Sequence, residues 1–246
     1  MPDTPKYFYL YNSHSEFKSN PPEFNLYSVS YDMNHVHYHK FNTYYKLNYL
    51  TCTTNMNSRL DTNKKLNMNN TYKFHFKCKL SSSVRFCIYS TYKYNTNCFN
   101  IEFANATRKL RLYSKDANGT GIDLSTNLII PLNEVTEFIV IVSPISTGIS
   151  LNYTMIKSNG TSTSGSYNVS CNKYITDQPL SFFHDRRPST TPFNPFELYF
   201  AKLYENNELI MDYEPYKYID NNSGIIYGLK NAIDNSFLST AYNIGD

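Results

Sequence analysis

Tryptophan is absent from this chain, and glycine is scarce, with 8 in 246 residues. No glycine-rich phosphate loop can be built from them, and no Ser/His/Asp order of a hydrolase is present. Charge is also sparse: 17% of the residues are charged and the net charge is +3. A nucleic-acid binder would show a basic stripe. Instead Lys73, Lys77 and Lys79 alternate with apolar residues, as on the wet side of a strand. No apolar run is long enough to span a bilayer, and no apolar leader follows Met1. The expectation is a chain made in a cytoplasm, with no nucleic-acid and no membrane partner. Cysteine is present at 52, 78, 87, 98 and 171, but no pair has C-x-x-C spacing, which argues against zinc. The odd count argues against a closed disulfide set. Cys78 continues the apolar alternation of Phe74 and Phe76 and reads as a small core residue. Seven N-x-S/T triplets occur, as chance gives in a chain so rich in Asn, Ser and Thr.

What the chain has in quantity is Tyr (24), Phe (16) and Asn. Aromatic residues suit a pleated, half-buried surface, and Asn suits turns. Tyr72, Phe74, Phe76, Cys78 and Leu80 alternate with Lys73, His75, Lys77 and Lys79, which is a strand with one dry and one wet face. Residues 84–88, 99–103, 109–113, 149–155, 167–171 and 180–183 read as further strands. Residues 138–142 are apolar on both faces and belong in the interior of a sheet. Phe196, Leu198 and Phe200 fall on one face of a strand, and Tyr199, Ala201 and Leu203 on the other, again a central strand. Glu205-Asn-Asn-Glu208 is a hairpin turn, and the returning strand should stop at Pro215, which has no N–H for a ladder. No helix is convincing. About ten short strands at 8–15-residue spacing give an all-β fold, an antiparallel sandwich or jelly roll.

The chain divides into an arm (1–45), a sandwich core (46–205) and a C-terminal hairpin and tail (206–246) packed on the sandwich. The arm is aromatic but poor in aliphatic residues, so it should pack on something else. Tyr7, Phe8, Tyr9, Tyr11, Tyr27 and Tyr38 are its candidate partner-binding residues. Within it, His35, His37 and His39 share one face if extended, which makes them metal candidates or an interface strand face. Asp116, Asn118 and Asp123 lie close along one loop and could donate oxygens to calcium, or simply form an Asx turn. Neither set is strong enough to assign a metal, and no cofactor is expected. Asp212 and Glu214 share a strand face, as glycosidase carboxylates do, but Ile210 stands where a nucleophile would be. The expectation is therefore that the chain is not an enzyme.

Three runs follow one another in a recognisable order. They are Arg59-Leu-Asp-Thr-Asn63, then Leu180-Ser-Phe-Phe-His-Asp-Arg-Arg187, then Lys202-Leu-Tyr-Glu-Asn-Asn-Glu-Leu-Ile-Met-Asp-Tyr-Glu-Pro215 with the echo Gly224-Ile-Ile-Tyr-Gly-Leu229. Over about residues 45–246 this order resembles the concanavalin-like (laminin-G-like) jelly-roll domains of tailed-bacteriophage structural proteins. The resemblance implies a non-enzymatic virion component: a capsid decoration protein, or a head or tail fibre component, attached through its N-terminal arm. It implies location in the virion after assembly in the host cytoplasm, other virion proteins as partners, and a homo-oligomer as a further candidate. The alternative is a carbohydrate- or receptor-binding adhesin module with a host glycan as ligand.

Overall fold

A computed structural model describes residues 43–51, 60–82, 86–92, 96–104, 107–183, 196–220 and 224–239. Their regular structure is all strand, in two antiparallel sheets packed as a β-sandwich. The larger sheet has ten strands. Its chain-order members are β1 (Thr43–Lys46), β2 (Leu50–Thr51), β4 (Tyr72–Leu80), β9 (Val135–Ile145) and β10 (Gly148–Ile156). The others are β11 (Ser162–Ser170), β13 (Phe196–Glu205), β14 (Glu208–Asp220), β15 (Gly224–Asn231) and β16 (Phe237–Ser239). The spatial order is β11-β10-β9-β4-β13-β14-β15-β16, with β1 beside β14 and β2 beside β13. The smaller sheet runs β3-β12-β5-β6-β7-β8. Its strands are β3 (Leu60–Asp61), β5 (Phe86–Ser90), β6 (Cys98–Phe103), β7 (Lys109–Lys115), β8 (Gly121–Ile129) and β12 (Ser181–Phe183).

The core follows from the period of β4. Tyr72, Phe74, Phe76, Cys78 and Leu80 are all fully buried, and the residues between them are half-exposed. From this strand aromatic rings bridge the two sheets. Phe74 meets Tyr89 edge-on at 5.0 Å and stacks on Phe99 at 5.4 Å. Phe76 stacks on Phe138 at 5.2 Å and touches Tyr89 at 5.7 Å. Phe138 meets Phe103 at 5.1 Å, Phe103 stacks on Phe86 at 4.6 Å, and Phe86 reaches Phe196 at 4.5 Å. Offset and edge-on ring pairs of this kind each add about 0.5–1.5 kcal/mol beyond the area they bury. The thiols of Cys78, Cys87 and Cys98 are buried within the same layers.

Two expectations about β13 and β14 are corrected. Phe200 does not share the face of Phe196 and Leu198. A bulge between Leu198 and Phe200 inserts one extra residue opposite β4, which reverses the alternation. Phe196, Leu198, Ala201 and Leu203 all face the core, while Tyr199 and Phe200 are both half-exposed. The strand is central, between β4 and β14. Nor does β14 stop at Pro215: it continues to Asp220 and pairs with β15 along residues 213–220. Pro215 is tolerated because its missing N–H falls between two neighbours. The ladder to β13 has ended at Tyr213, and that to β1 begins at Tyr216. Its carbonyl still accepts from Leu47 N–H at 2.9 Å.

The turn between them forms as its sequence dictates. Asn206 and Asn207 have φ of 49° and 71°, as a two-residue type I′ hairpin requires. Asn206 Oδ1 accepts from Thr71 N–H at 2.9 Å, and Asn206 N–H donates to the Thr71 carbonyl at 2.8 Å. Glu205 beside it is held by Lys64 Nζ at 2.6 Å, Asn70 Nδ2 at 2.8 Å and the Tyr72 hydroxyl at 2.6 Å. The tip of the central hairpin is thereby tied to the start of β4. Among the described residues β3 is short, only Leu60–Asp61, and β8 and the first half of β11 are strands that the apolar pattern did not show.

Truncating a ring at the centre of this packing tests it. Phe76→Ala should lower stability by about 3–5 kcal/mol, the usual cost of emptying a buried aromatic site. The midpoint of urea unfolding measures this, and a loss under about 1 kcal/mol would contradict the packing described.

Candidate functional site

The outer face of the larger sheet is where polar, charged and aromatic side chains converge on central strands. The same alternation that buries Phe74 and Phe76 turns Lys73, His75, Lys77 and Lys79 outward. Across β9, β4, β13 and β14 the register sets Ile139, His75, Lys202 and Asp212 in one transverse row. His75 Nε2 lies 2.6 Å from Glu137 Oε1 on the neighbouring strand. Lys202 Nζ donates to Asp212 Oδ2 at 3.0 Å, and Lys79 Nζ to Glu197 Oε1 at 2.9 Å. Lys46 pairs with Glu214. Lys73 Nζ sits 3.7 Å above the Tyr204 ring, a cation–π contact. Much of the charge on this face is therefore paired within it, while Lys77 has no ion pair among the described residues.

Beside these groups the face carries aromatic rings. Phe200, pushed outward by the bulge, meets His75 edge-on at 5.0 Å. Tyr199 packs against Tyr49 at 5.7 Å, and its hydroxyl donates to Glu197 Oε2 at 2.7 Å. Partial burial, then the adjoining Glu197 carboxylate, pushes the Tyr199 hydroxyl up to about 12, so it stays a neutral donor. Asp212 uses its Oδ2 on Lys202, while its buried Oδ1 has no hydrogen-bond partner among the described residues. Its backbone N–H donates to Asn231 Oδ1 at 2.9 Å. Asp212 thus stitches β13, β14 and β15 together. Glu214, two residues on, is engaged by Lys46 from β1.

The loop candidates do not converge. Asp116 is fully buried, and its carboxylate accepts from the backbone N–H groups of Asn118 and Thr120 at 2.9 Å and of Asn172 at 2.9 Å. It organises the turn before β8 and fastens it to the segment after β11. Burial alone would raise its carboxyl; the Asn172, Thr120 and Asn118 donors outweigh that and hold it below the ordinary value. Asp123 lies on β8 and pairs with Arg111, which it shares with the buried Glu102. Asn118 contributes its backbone to Asp116. The expected calcium ligands are therefore spent on the turn and on Arg111, and no group of three His, Cys, Asp or Glu residues that could hold a metal occurs among the described residues. His35, His37, His39 and the arm residues Tyr7, Phe8, Tyr9, Tyr11, Tyr27 and Tyr38 lie outside the described residues. Of the thiols, Cys98 is pushed up to about 12 by burial, which makes it a poor nucleophile.

The sequence readily showed the Lys/His face of β4. It concealed Glu137, Phe200, Lys202 and Glu197 as neighbours of that face, because their side depends on the bulge and on long-range pairing. The one available signal was the surplus of alternating charge on strands otherwise apolar.

No protein-family model matches the chain, and no curated protein does. Among solved structures, a crystal structure of scytalido-glutamic peptidase with a peptide-based transition-state analogue is similar at a TM-score of 0.34 and 10% identity. It covers 76% of this chain and 96% of that one. The expectation that the chain is not an enzyme is corrected on this finding and withdrawn, since the similar structure belongs to a peptidase. At that TM-score the likeness assigns no activity, substrate or catalytic residue here.

Asp116 supplies a pH test. Its carboxyl is depressed in the folded state, so its contribution is complete above the unfolded value of about 4 and is lost as pH falls through the lower folded value. Asp116→Asn should cost about 1–3 kcal/mol at neutral pH and flatten the fall in stability below about pH 4. Parallel stability curves for the two proteins would contradict this role. Millimolar calcium should leave the melting temperature unchanged; a rise of several degrees would return residues 116–123 to the status of a metal site.

Proposed function

We propose that the chain is an assembly module: a β-sandwich that docks onto other proteins, as a virion structural component of the kind its jelly-roll resemblance implies. The observation that carries this reading is the outer face of the large sheet. Many of its polar groups are paired across strands, at Glu137–His75, Lys79–Glu197 and Lys202–Asp212, and rings at Tyr49, Tyr199, Phe200 and Tyr204 offer contact area beside them. A face depleted of free charge and enriched in aromatic rings has the composition of an interface core. The run that carries the resemblance, 202–215, supports the reading too. It builds the central hairpin, with Asn206 and Asn207 at its turn and Asp212 tying three strands. Residues 1–42 lead directly into β1, which pairs with β14 in the middle of this sheet. An N-terminal anchor would therefore start beside the docking face. The virion setting rests on the resemblance, since fold alone does not fix function.

A second reading, glycan or receptor binding, has one observation in its favour. Asn152, Tyr153, Thr154, Ser164, Gly165 and Ser166 line an open depression of about 410 Å³. Hydroxyl and amide groups beside a Tyr ring suit a sugar.

Immunogold labelling of purified particles should place the protein at regular positions on the shell or a fibre. A chain lacking residues 1–42 should fold and fail to join those particles, whereas global unfolding of the truncation would contradict a separable anchor. The double variant Phe200→Ala, Tyr204→Ala should keep its melting temperature within a few degrees and lose at least tenfold in incorporation. Unchanged incorporation would contradict the role of the outer face, and glycan binding by the wild type that is lost on changing Tyr153 would favour the second reading.

A further inference from the structure

A sheet edge offers a row of unpaired N–H and C=O groups, and natural proteins blunt such edges with charge, proline, irregularity or brevity. Among the described residues, four strands end the two main sheet orders, and three of them are blunted. β16 spans only Phe237–Ser239 and β3 only Leu60–Asp61. β8 carries Asp123, and its register against β7 shifts between Lys109 and Arg111. The fourth, β11, has none of these devices. It is nine residues of Ser, Thr, Gly, Tyr, Asn and Val, with no charge and no proline. Its pairing with β10 runs from Ile156↔Ser162 to Gly148↔Ser170 without a shift. All but Gly165 and Val169 are exposed, and among the described residues no strand pairs with its outer side.

The outward groups can be assigned. At the hairpin loop Lys157 N–H donates to the Thr161 carbonyl at 2.9 Å, and at the far end Cys171 N–H donates to Thr147 at 3.3 Å. Bonded and non-bonded pairs alternate along an antiparallel ladder. Thr163, Gly165, Tyr167 and Val169 therefore bond to β10, and the N–H and C=O groups of Ser162, Ser164, Ser166, Asn168 and Ser170 point away from it.

We propose that β11 pairs antiparallel with β11 of a second copy of this chain, on a two-fold axis at Ser166. In that register Ser166 faces Ser166, Ser164 faces Asn168 and Ser162 faces Ser170. Every outward N–H then meets an outward C=O. No like charges oppose each other, which a self-pairing edge requires and an edge selected for a charged partner does not. The side chains are small enough to let two edges approach. Tyr167, 48% exposed, comes opposite Gly165 of the second copy, where it would meet the Tyr153 ring that covers that glycine. Head-to-tail pairing of β11 with β16 would leave most of the nine residues unmatched by three, so the closed two-fold arrangement is the one that uses the whole edge.

Sedimentation equilibrium of the full chain at tens of micromolar tests this. The wild type should sediment at about twice 28.6 kDa. Ser166→Lys places two ammonium groups on the axis and should sediment as a monomer with an unchanged melting temperature, because the position is an exposed edge. Mixing Ser166→Lys with Ser166→Glu should restore the dimer. A monomeric wild type, a Ser166→Lys protein that still dimerises, or failure of the mixture to recover would each overturn the pairing. None of these outcomes bears on the outer face of the sheet, whose test uses Phe200 and Tyr204.

Discussion

The packing of β4 against the small sheet is the interaction on which the rest depends. Phe74 and Phe76 project from one strand and between them touch Tyr89 and Phe99 of the small sheet and Phe138 of the neighbouring strand. The flanking strands add to this packing, β9 through Phe138 on Phe103 and β13 through Phe196 on Phe86. Because side chains alternate along a strand, the choice of core face fixes the outer face as well. Burying Phe74 and Phe76 obliges Lys73, His75, Lys77 and Lys79 to face outward. Of these, His75, Lys79 and Lys73 find partners in Glu137, Glu197 and the Tyr204 ring on the flanking strands. The core and the candidate docking face are two consequences of one alternation.

That alternation was legible, and so was the fold class. Phe138–Val142 is interior, and Asn206-Asn207 makes the turn its residues favour. The misreadings have identifiable physical causes. A bulge is one extra residue in a long-range pairing, and nothing local to Tyr199 announces it, so Phe200 was placed on the wrong face. Pro215 forbids only one hydrogen bond, and it is harmless where no partner waits on that side, which depends on β1 arriving from 170 residues earlier. The first half of β11 escaped notice because an exposed edge segment of Ser, Thr and Gly has no apolar residues to alternate. β8 was hidden for a related reason, with Asp123, Ser125 and Asn127 interrupting its pattern. The Asp116 loop was legible as a cluster of oxygens. Its use was not, since the donors that occupy it include Asn172, distant in sequence and brought there by the β10–β11 hairpin.

Function follows the same division. The polar groups on the described surfaces are mostly engaged with one another, while the rings of the outer face keep exposed area and the outer backbone edge of β11 has no strand partner among the described residues. Under the proposed function both would serve contact with other proteins, one through side chains and one through the main chain. A face that pairs much of its own charge can associate without a strong dependence on ionic strength, because little net electrostatic attraction is involved.

The central claim is that the aromatic packing around β4 makes the two sheets a single cooperative unit. Native-state amide hydrogen exchange tests it most directly. The account predicts that the slowest amides of β4, β9 and β13 in one sheet and of β5 and β6 in the other exchange with the same free energy, equal to that of global unfolding. Exchange of β5 and β6 at a clearly lower free energy, with β4 still protected, would show that the sheets open separately and would contradict it.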